Sequence, residues 1–163
     1  MSSANPIRRM VNTVASSALG ARIFSVLLHP LDGLVHKLSG GKHSLTGLIT
    51  GLPVYVLTST GAQSGLARQV TLLGIADGKN VVLIGSNWGQ AHYPAWYHNL
   101  TAHPRATLTH RGETRTYIAH EAAGAERAAA WQRAVALYPG YDSYVARTGG
   151  RVIPVMVLKP AQF

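Results

Sequence analysis

Two stretches of the chain carry side chains whose types and spacing can do chemistry. In YPGYDSY, Tyr138, Tyr141 and Tyr144 recur every third residue. On a helix that spacing lines three phenols along one side. A phenol with a pKa of about 10 stays protonated at neutral pH, so it can donate a hydrogen bond to a developing oxyanion. The second stretch, TSTGAQSGLARQV, begins at Thr58. Gly61 and Gly65 let the backbone turn tightly and present its N–H groups. Thr60 and Ser64 add hydroxyls, and Arg68 adds a fixed cation suited to phosphate or carboxylate. Together these residues describe an anion-cradling loop. Three tyrosines can also cap a core edge, and a Gly/Ser turn with one arginine can also be an ordinary hairpin connection.

Other chemistries are disfavoured by what the chain lacks. There are no cysteines, which removes disulfides, zinc–thiolate sites, iron–sulfur clusters and cysteine catalysis. The histidines (His29, His36, His43, His92, His98, His103, His110 and His120) are dispersed, none sits in an HExxH arrangement, and acids are few, so no metal site is expected. No GxSxG elbow, Walker loop, GxGxxG fingerprint or paired carboxylates for glycoside chemistry occur. The net charge of +9 points to an anionic partner. The positive charges form no run of five, so nucleic acid is not the expected one.

The elements that must position these residues can be read in outline. At 163 residues, 47% of them hydrophobic and 13% charged, the chain has room for one core. Pro53–Leu57 and Arg68–Ala76 read as strands on either side of the polar stretch. Asp77-Gly78 is a hairpin signal, and Asn80–Ser86 reads as a buried third strand. Trp88, Tyr93, Trp96 and Tyr97 crowd the following segment, where a helix starts near Pro94. Arg105–His110 and Glu113–Glu121 make a hairpin about Arg111-Gly112, Ala125–Leu137 is an alanine-rich helix, and Val152–Leu158 is a last strand. Six short strands with few helices predict a mainly β protein, a small antiparallel barrel with helical insertions.

Residues 1–33 differ from the rest. Ile7, Val11, Val14 and Ala18 fall at helical spacing beside Arg8, Arg9 and Arg22. Asn12, Thr13, Ser16 and Ser17 interrupt any apolar centre, which argues against a secretory signal. No run of eighteen apolar residues is present, so no bilayer-spanning helix is expected. Five Lys/Arg stand against Asp32 alone in residues 1–50. Such a segment suits an amphipathic helix lying on anionic lipid through residues 1–30, or one packed on the barrel. The expected location is the cytoplasm, with peripheral contact at the inner membrane face.

TSTGAQSGLAR, VVLIGSNWG, HYPAWYHNLTAHP, YPGYDSY and RVIPVMVLKP occur in that order. This ordered set resembles the deazaflavin-dependent nitroreductase family, split-barrel reductases that use coenzyme F-420. The resemblance covers about residues 30–160 and includes LSGG at Leu38–Gly41. It implies a split β-barrel like that of FMN-binding proteins over residues 34–163. It also implies hydride transfer from the reduced deazaflavin to a quinone-like, nitroaromatic or other planar conjugated acceptor. FMN is the alternative cofactor, and a non-catalytic carrier of a hydrophobic or tetrapyrrole-like ligand is the alternative of a different class.

Carried over by position, Ala62, Gln63, Ser64 and Arg68 would hold the cofactor's phosphate and acidic tail. Gln69, Val70, Thr71, Leu72 and Leu73 would line its ring and linker. Ile84, Gly85, Ser86 and Asn87 would form the facing wall, and Ala95, Trp96, Tyr97, His98 and Asn99 the helix start that closes the pocket. Tyr138, Tyr141 and Tyr144 would sit on the substrate side, with Ser86 hydrogen-bonding an acceptor oxygen. The chain departs from the family pattern at Ala62-Gln63, where a basic pair is usual, at Asn87, where a lysine is common, and at Thr71, where a proline is common. Each cation so replaced removes a charge-assisted contact worth about 1.5–3 kcal/mol.

Overall fold

Runs rich in Val, Ile, Leu, Thr and Tyr form the strands, as side chains that fit a pleated, half-buried surface do. The computed structural model describes residues 52–162, so the expected amphipathic segment at residues 1–33 lies outside the described part. Six strands follow in chain order: β1 Val54–Thr60, β2 Ala67–Asp77, β3 Asn80–Ile84, β4 Arg105–His110, β5 Glu113–Glu121 and β6 Val155–Pro160. Every pairing is antiparallel, and the ring order β1-β2-β3-β6-β5-β4 closes because β1 pairs with both β2 and β4. Closure leaves no open sheet edge. The six expected strands are all present, in the expected small antiparallel barrel.

Several strand bounds move by one to three residues, two of them for evident physical reasons. β1 runs on to Thr60, and Ser59 and Thr60 pair with Arg68 and Ala67, so the polar turn shrinks to residues 61–66. β6 begins at Val155 rather than Val152, after Pro154, which has no N–H to give a ladder. The β4–β5 turn places Arg111 at φ 51 and Gly112 at φ 83, the two left-handed residues that a tight hairpin turn requires.

Alternation along the strands splits the core in two. Leu57, Leu83, Leu108, Tyr117, Met156 and Leu158 point into the barrel, where Trp96 and Leu100 of α1 (Ala95–Ala102) join them. Val82, Ile84, Val155 and Val157 point outward beneath α2 (Gly124–Leu137) and α3 (Gly140–Val145). β3 and β6 are therefore buried on both faces, which is why Asn80–Ser86 reads as an unbroken apolar run. Ala130 and Ala134 let α2 approach the outer face closely. Burying one such Leu or Val contributes about 1.5–3 kcal/mol, and Leu83→Ala would cost about 2–5 kcal/mol.

The tyrosine set departs from the expected single helix. Tyr138 is the C-cap of α2, with extended backbone, and Pro139 precedes the new helix that carries Tyr141 and Tyr144. Proline cannot continue α2 because it lacks the N–H and its ring would strike the preceding turn. Gly140 completes the break, since any side chain there would meet the Tyr138 ring.

Candidate active site

A cavity of about 1400 Å³ opens between the β1–β2 loop, β2, the segment after β3, α1 and the tyrosines. It exceeds the volume a drug-sized ligand needs, so it can take a tricyclic ring with a phosphate-bearing tail and still leave room for an acceptor. Among the described residues in its lining, Arg68 is the one fixed charge, and no carboxylate is present. Such a lining suits an anionic or neutral conjugated ligand. No group of three His, Asp or Glu among the described residues can hold a metal ion. No described helix is long and apolar enough to cross a membrane.

The polar loop is held by its own turns and by one outside contact. The Gly61 N–H donates to Leu66 O at 2.8 Å, and the Gly65 N–H, at φ 66, donates to Gly61 O at 2.8 Å. Asn99, buried on α1, accepts from the Ala62 N–H at 2.9 Å and donates to the Ser59 hydroxyl at 3.2 Å. Asn99 thus fastens the loop rather than offering its amide to a ligand, and the Ala62 N–H is already engaged. The neighbouring N–H groups of Gln63 and Ser64 make no hydrogen bond among the described residues. Ser64 Oγ accepts a long bond of 3.4 Å from Arg68, whose exposed guanidinium stays available. Two adjacent amides without a described partner, beside an arginine, leave donors available to an anion.

Across the cavity the segment after β3 is strained. Asn87 (φ 46) and Trp88 (φ 57) are both left-handed, followed by Gly89 at φ 78. Left-handed backbone costs a non-glycine residue about 1–2 kcal/mol. Asn87 Nδ2 donates to His92 O at 3.1 Å across the turn. Arg151, from the turn before β6, donates to Gly85 O (3.1 Å), Ser86 O (2.8 Å) and Gln90 O (3.0 and 3.1 Å), and its guanidinium lies over the Tyr93 ring at 4.9 Å. The Ser86 hydroxyl lines the cavity and bonds to no described residue.

The three phenols share one aromatic cluster but not one role. Tyr138 and Tyr144 are joined hydroxyl to hydroxyl at 3.0 Å. Tyr141 packs edge-on against both, at ring distances of 5.3 and 6.2 Å, it lines the cavity, and its hydroxyl makes no hydrogen bond among the described residues. Burial raises all three pKa values above the ordinary phenol value, so each is protonated at neutral pH.

Of the expected site residues, all but one line this cavity. Ala62, Gln63 and Ser64 lie in the loop, Arg68, Gln69, Val70, Thr71, Leu72 and Leu73 on β2, and Ile84 at the end of β3. Ser86 and Asn87 follow, then Ala95, Trp96, Tyr97, His98 and Asn99 on α1, and Tyr138, Tyr141 and Tyr144. Gly85 is the exception. Its N–H bonds to Pro154 O, and a Cβ there would stand 2.5 Å from Pro154 Cγ, so it serves close packing against the approach to β6. Tyr97 turns its hydroxyl to Glu121 at 2.9 Å. Trp88, His92 and Tyr93 also line the cavity and Arg151 supports it, none of which was expected as site residues. The aromatic density of the segment pointed toward Trp88 and Tyr93; nothing local marked His92 or Arg151.

The profile of the family described as F-420H(2)-dependent quinone reductase matches residues 34–160. A Mycobacterium tuberculosis protein provisionally named an F-420H(2)-dependent quinone reductase is 36% identical over 109 residues, covering 67% of this chain and 91% of that protein. A second M. tuberculosis F-420H(2)-dependent quinone reductase is 31% identical over 85 residues, or 51% of this chain and 55% of that one. The solved structure of an F-420-H(2) dependent reductase, FDR-A, matches with a TM-score of 0.61 at 32% identity, over 66% of this chain and 94% of that chain. The closed six-stranded barrel is the split barrel of these reductases. The chain belongs to the F-420H(2)-dependent quinone reductase family, whose cofactor is coenzyme F-420.

Proposed function

We propose that this protein holds reduced F-420 in the cavity and directs its hydride to a quinone-like, planar conjugated acceptor. One observation carries this function: a single cavity joins unused backbone amides and Arg68 at one side to unused Ser86 and Tyr141 hydroxyls at the other. A bound reduced deazaflavin supplies the hydride, so the protein's work is binding, orientation and exclusion of water.

Arg68 and the Gln63 and Ser64 amides take the phosphate, in place of the basic pair usual in the family. The β2 residues Gln69 to Leu73 lie along the ring and linker, and Ser86 and Asn87 face them. Tyr141 donates a hydrogen bond to the acceptor oxygen as negative charge gathers there, and Ser86 is the second donor. Tyr138 and Tyr144, bonded to each other, keep Tyr141 in place and the pocket dry. The test is oxidation of reduced F-420 by a short-chain quinone, followed by recovery of deazaflavin fluorescence. Turnover above the protein-free rate is expected, and its absence would overturn the assignment.

The basic amphipathic residues 1–30 further suggest that the reductase meets a membrane-dissolved acceptor at the cytoplasmic face of the membrane. Deletion of these residues is then expected to abolish sedimentation with anionic vesicles. Persistent sedimentation would contradict the anchor.

A further inference from the structure

Among the described residues, one side chain supplies the hydrogen bonds that hold the strained wall of the cavity from outside. Asn87, Trp88 and Gly89 adopt three left-handed conformations in succession, and two of the three have a Cβ that disfavours them. Local hydrogen bonds, Gly89 N–H to Ser86 O at 2.9 Å and Gln90 N–H to Asn87 O at 3.0 Å, close the turn but do not tie it to the barrel. The tie is Arg151. Its planar fork reaches Gly85 O and Ser86 O before the turn and Gln90 O after it, so one guanidinium bridges both ends. Its face covers Tyr93, extending the hold to the far end of the segment.

Arg151 is itself fixed. The Thr148 hydroxyl, buried, lies 2.9 Å from Arg151 O and 3.0 Å from Val145 O, and Gly149 (φ 66) and Gly150 (φ 93) make the turn between. Ile153 and Val155 then anchor the chain in the outer core. The segment so clamped presents Ser86, Asn87, Trp88, His92 and Tyr93 to the cavity, and Trp88 meets Tyr144 edge-on at 6.3 Å. A lysine could not replace the fork, because a single ammonium cannot engage three carbonyls in one plane.

We propose that Arg151 is a positioning residue: its guanidinium clamps the Ser86–Tyr93 segment in the left-handed conformation that sets the Ser86 hydroxyl against the acceptor and docks Trp88 on the tyrosine cluster. Its link to turnover rests on the proposed F-420 reductase function; the clamp itself does not.

The test compares full-length wild type with Arg151→Lys and Arg151→Ala. Amide hydrogen exchange at Gly89 and Gln90 is expected to rise about tenfold or more in both variants, while Val82 and Leu158 in the barrel keep wild-type rates. Turnover of reduced F-420 with a short-chain quinone is expected to fall by up to about 100-fold, mainly in kcat. Guanidinium ion at millimolar, non-denaturing concentration is expected to restore part of the activity and protection of Arg151→Ala. Should Arg151→Ala fail to fold, the exchange pattern of Arg151→Lys decides. Unchanged exchange at Gly89 and Gln90, or a uniform rise across the barrel, would overturn the clamp. If the wild type binds no F-420, the functional assignment fails, while the exchange pattern still decides for or against the clamp.

Discussion

The loop at residues 61–66 and the segment from Ser86 to Tyr93 face the same cavity and are built on opposite principles. The first is a relaxed hairpin turn that leaves the amides of Gln63 and Ser64 and the guanidinium of Arg68 available. The second is strained, with Asn87 and Trp88 left-handed, and Arg151 commits its guanidinium to carbonyls of the protein itself. A loop that recognises an anion needs spare donors. A wall that must present one hydroxyl in one place needs its backbone fixed, since strain persists only where surrounding structure over-determines it. The cavity therefore has a binding side and a positioning side.

Substitutions should separate the two. The largest effect is expected on the chemistry side, from Tyr141→Phe. Loss of its free hydroxyl should lower kcat by about 10²-fold, as removal of one oxyanion donor does. The F-420 dissociation constant, read by fluorescence, should stay unchanged, and unaltered turnover would remove the phenol from the reaction. Next comes Arg68→Ala on the binding side. Losing a charge-assisted contact of about 1.5–3 kcal/mol should weaken F-420 about 10- to 100-fold. Its kcat at saturating cofactor should hold, and a matching fall in kcat would blur the division. Asn99→Ala should unfasten the binding side alone, leaving the Ala62 N–H and the Ser59 hydroxyl without their partner. A stability loss of about 1–3 kcal/mol is expected, seen as a Tm lowered by several degrees.

The last effect is absent at neutral pH and appears only in alkali. Burial raises the Tyr138, Tyr141 and Tyr144 pKa values in the folded state, whereas the unfolded chain titrates near 10. The folded state then binds more protons than the unfolded one above that pH. The stability these phenols contribute is whole below about pH 10 and is lost as pH climbs toward their folded values, by about 1.4 kcal/mol per pH unit for each. Tyrosinate absorbance from the cluster should emerge together with unfolding. Its emergence from folded protein near pH 10 would show the cluster to be wet.

Much of this was legible in the chain. Short β-rich apolar runs, the Asp77-Gly78 and Arg111-Gly112 turns and the Gly/Ser stretch placed all six strands, because strand composition and turn chemistry are local. Of the site residues that the ordered motifs assigned, all but Gly85 line the cavity, while Trp88, His92 and Tyr93 line it without having been assigned. The tyrosines were legible by type and not by geometry. A spacing of three fits one helix, but Pro139 and Gly140 break the chain there, and the Tyr138–Tyr144 hydrogen bond that leaves Tyr141 free is a tertiary fact. Asn99 was placed in the lining, yet its task of fastening the loop depends on a contact 37 residues away. Arg151 was invisible for the same reason, since its partners lie more than sixty residues upstream.

The central claim is that the relaxed loop, without the basic pair usual in the family, still holds a deazaflavin. The most direct measurement is a fluorescence titration of the purified full-length protein with oxidised F-420, with FMN in parallel. Saturable binding of F-420 with a micromolar or tighter Kd, about −8 kcal/mol or better, is the predicted result. Binding of FMN alone, or of neither, would contradict it.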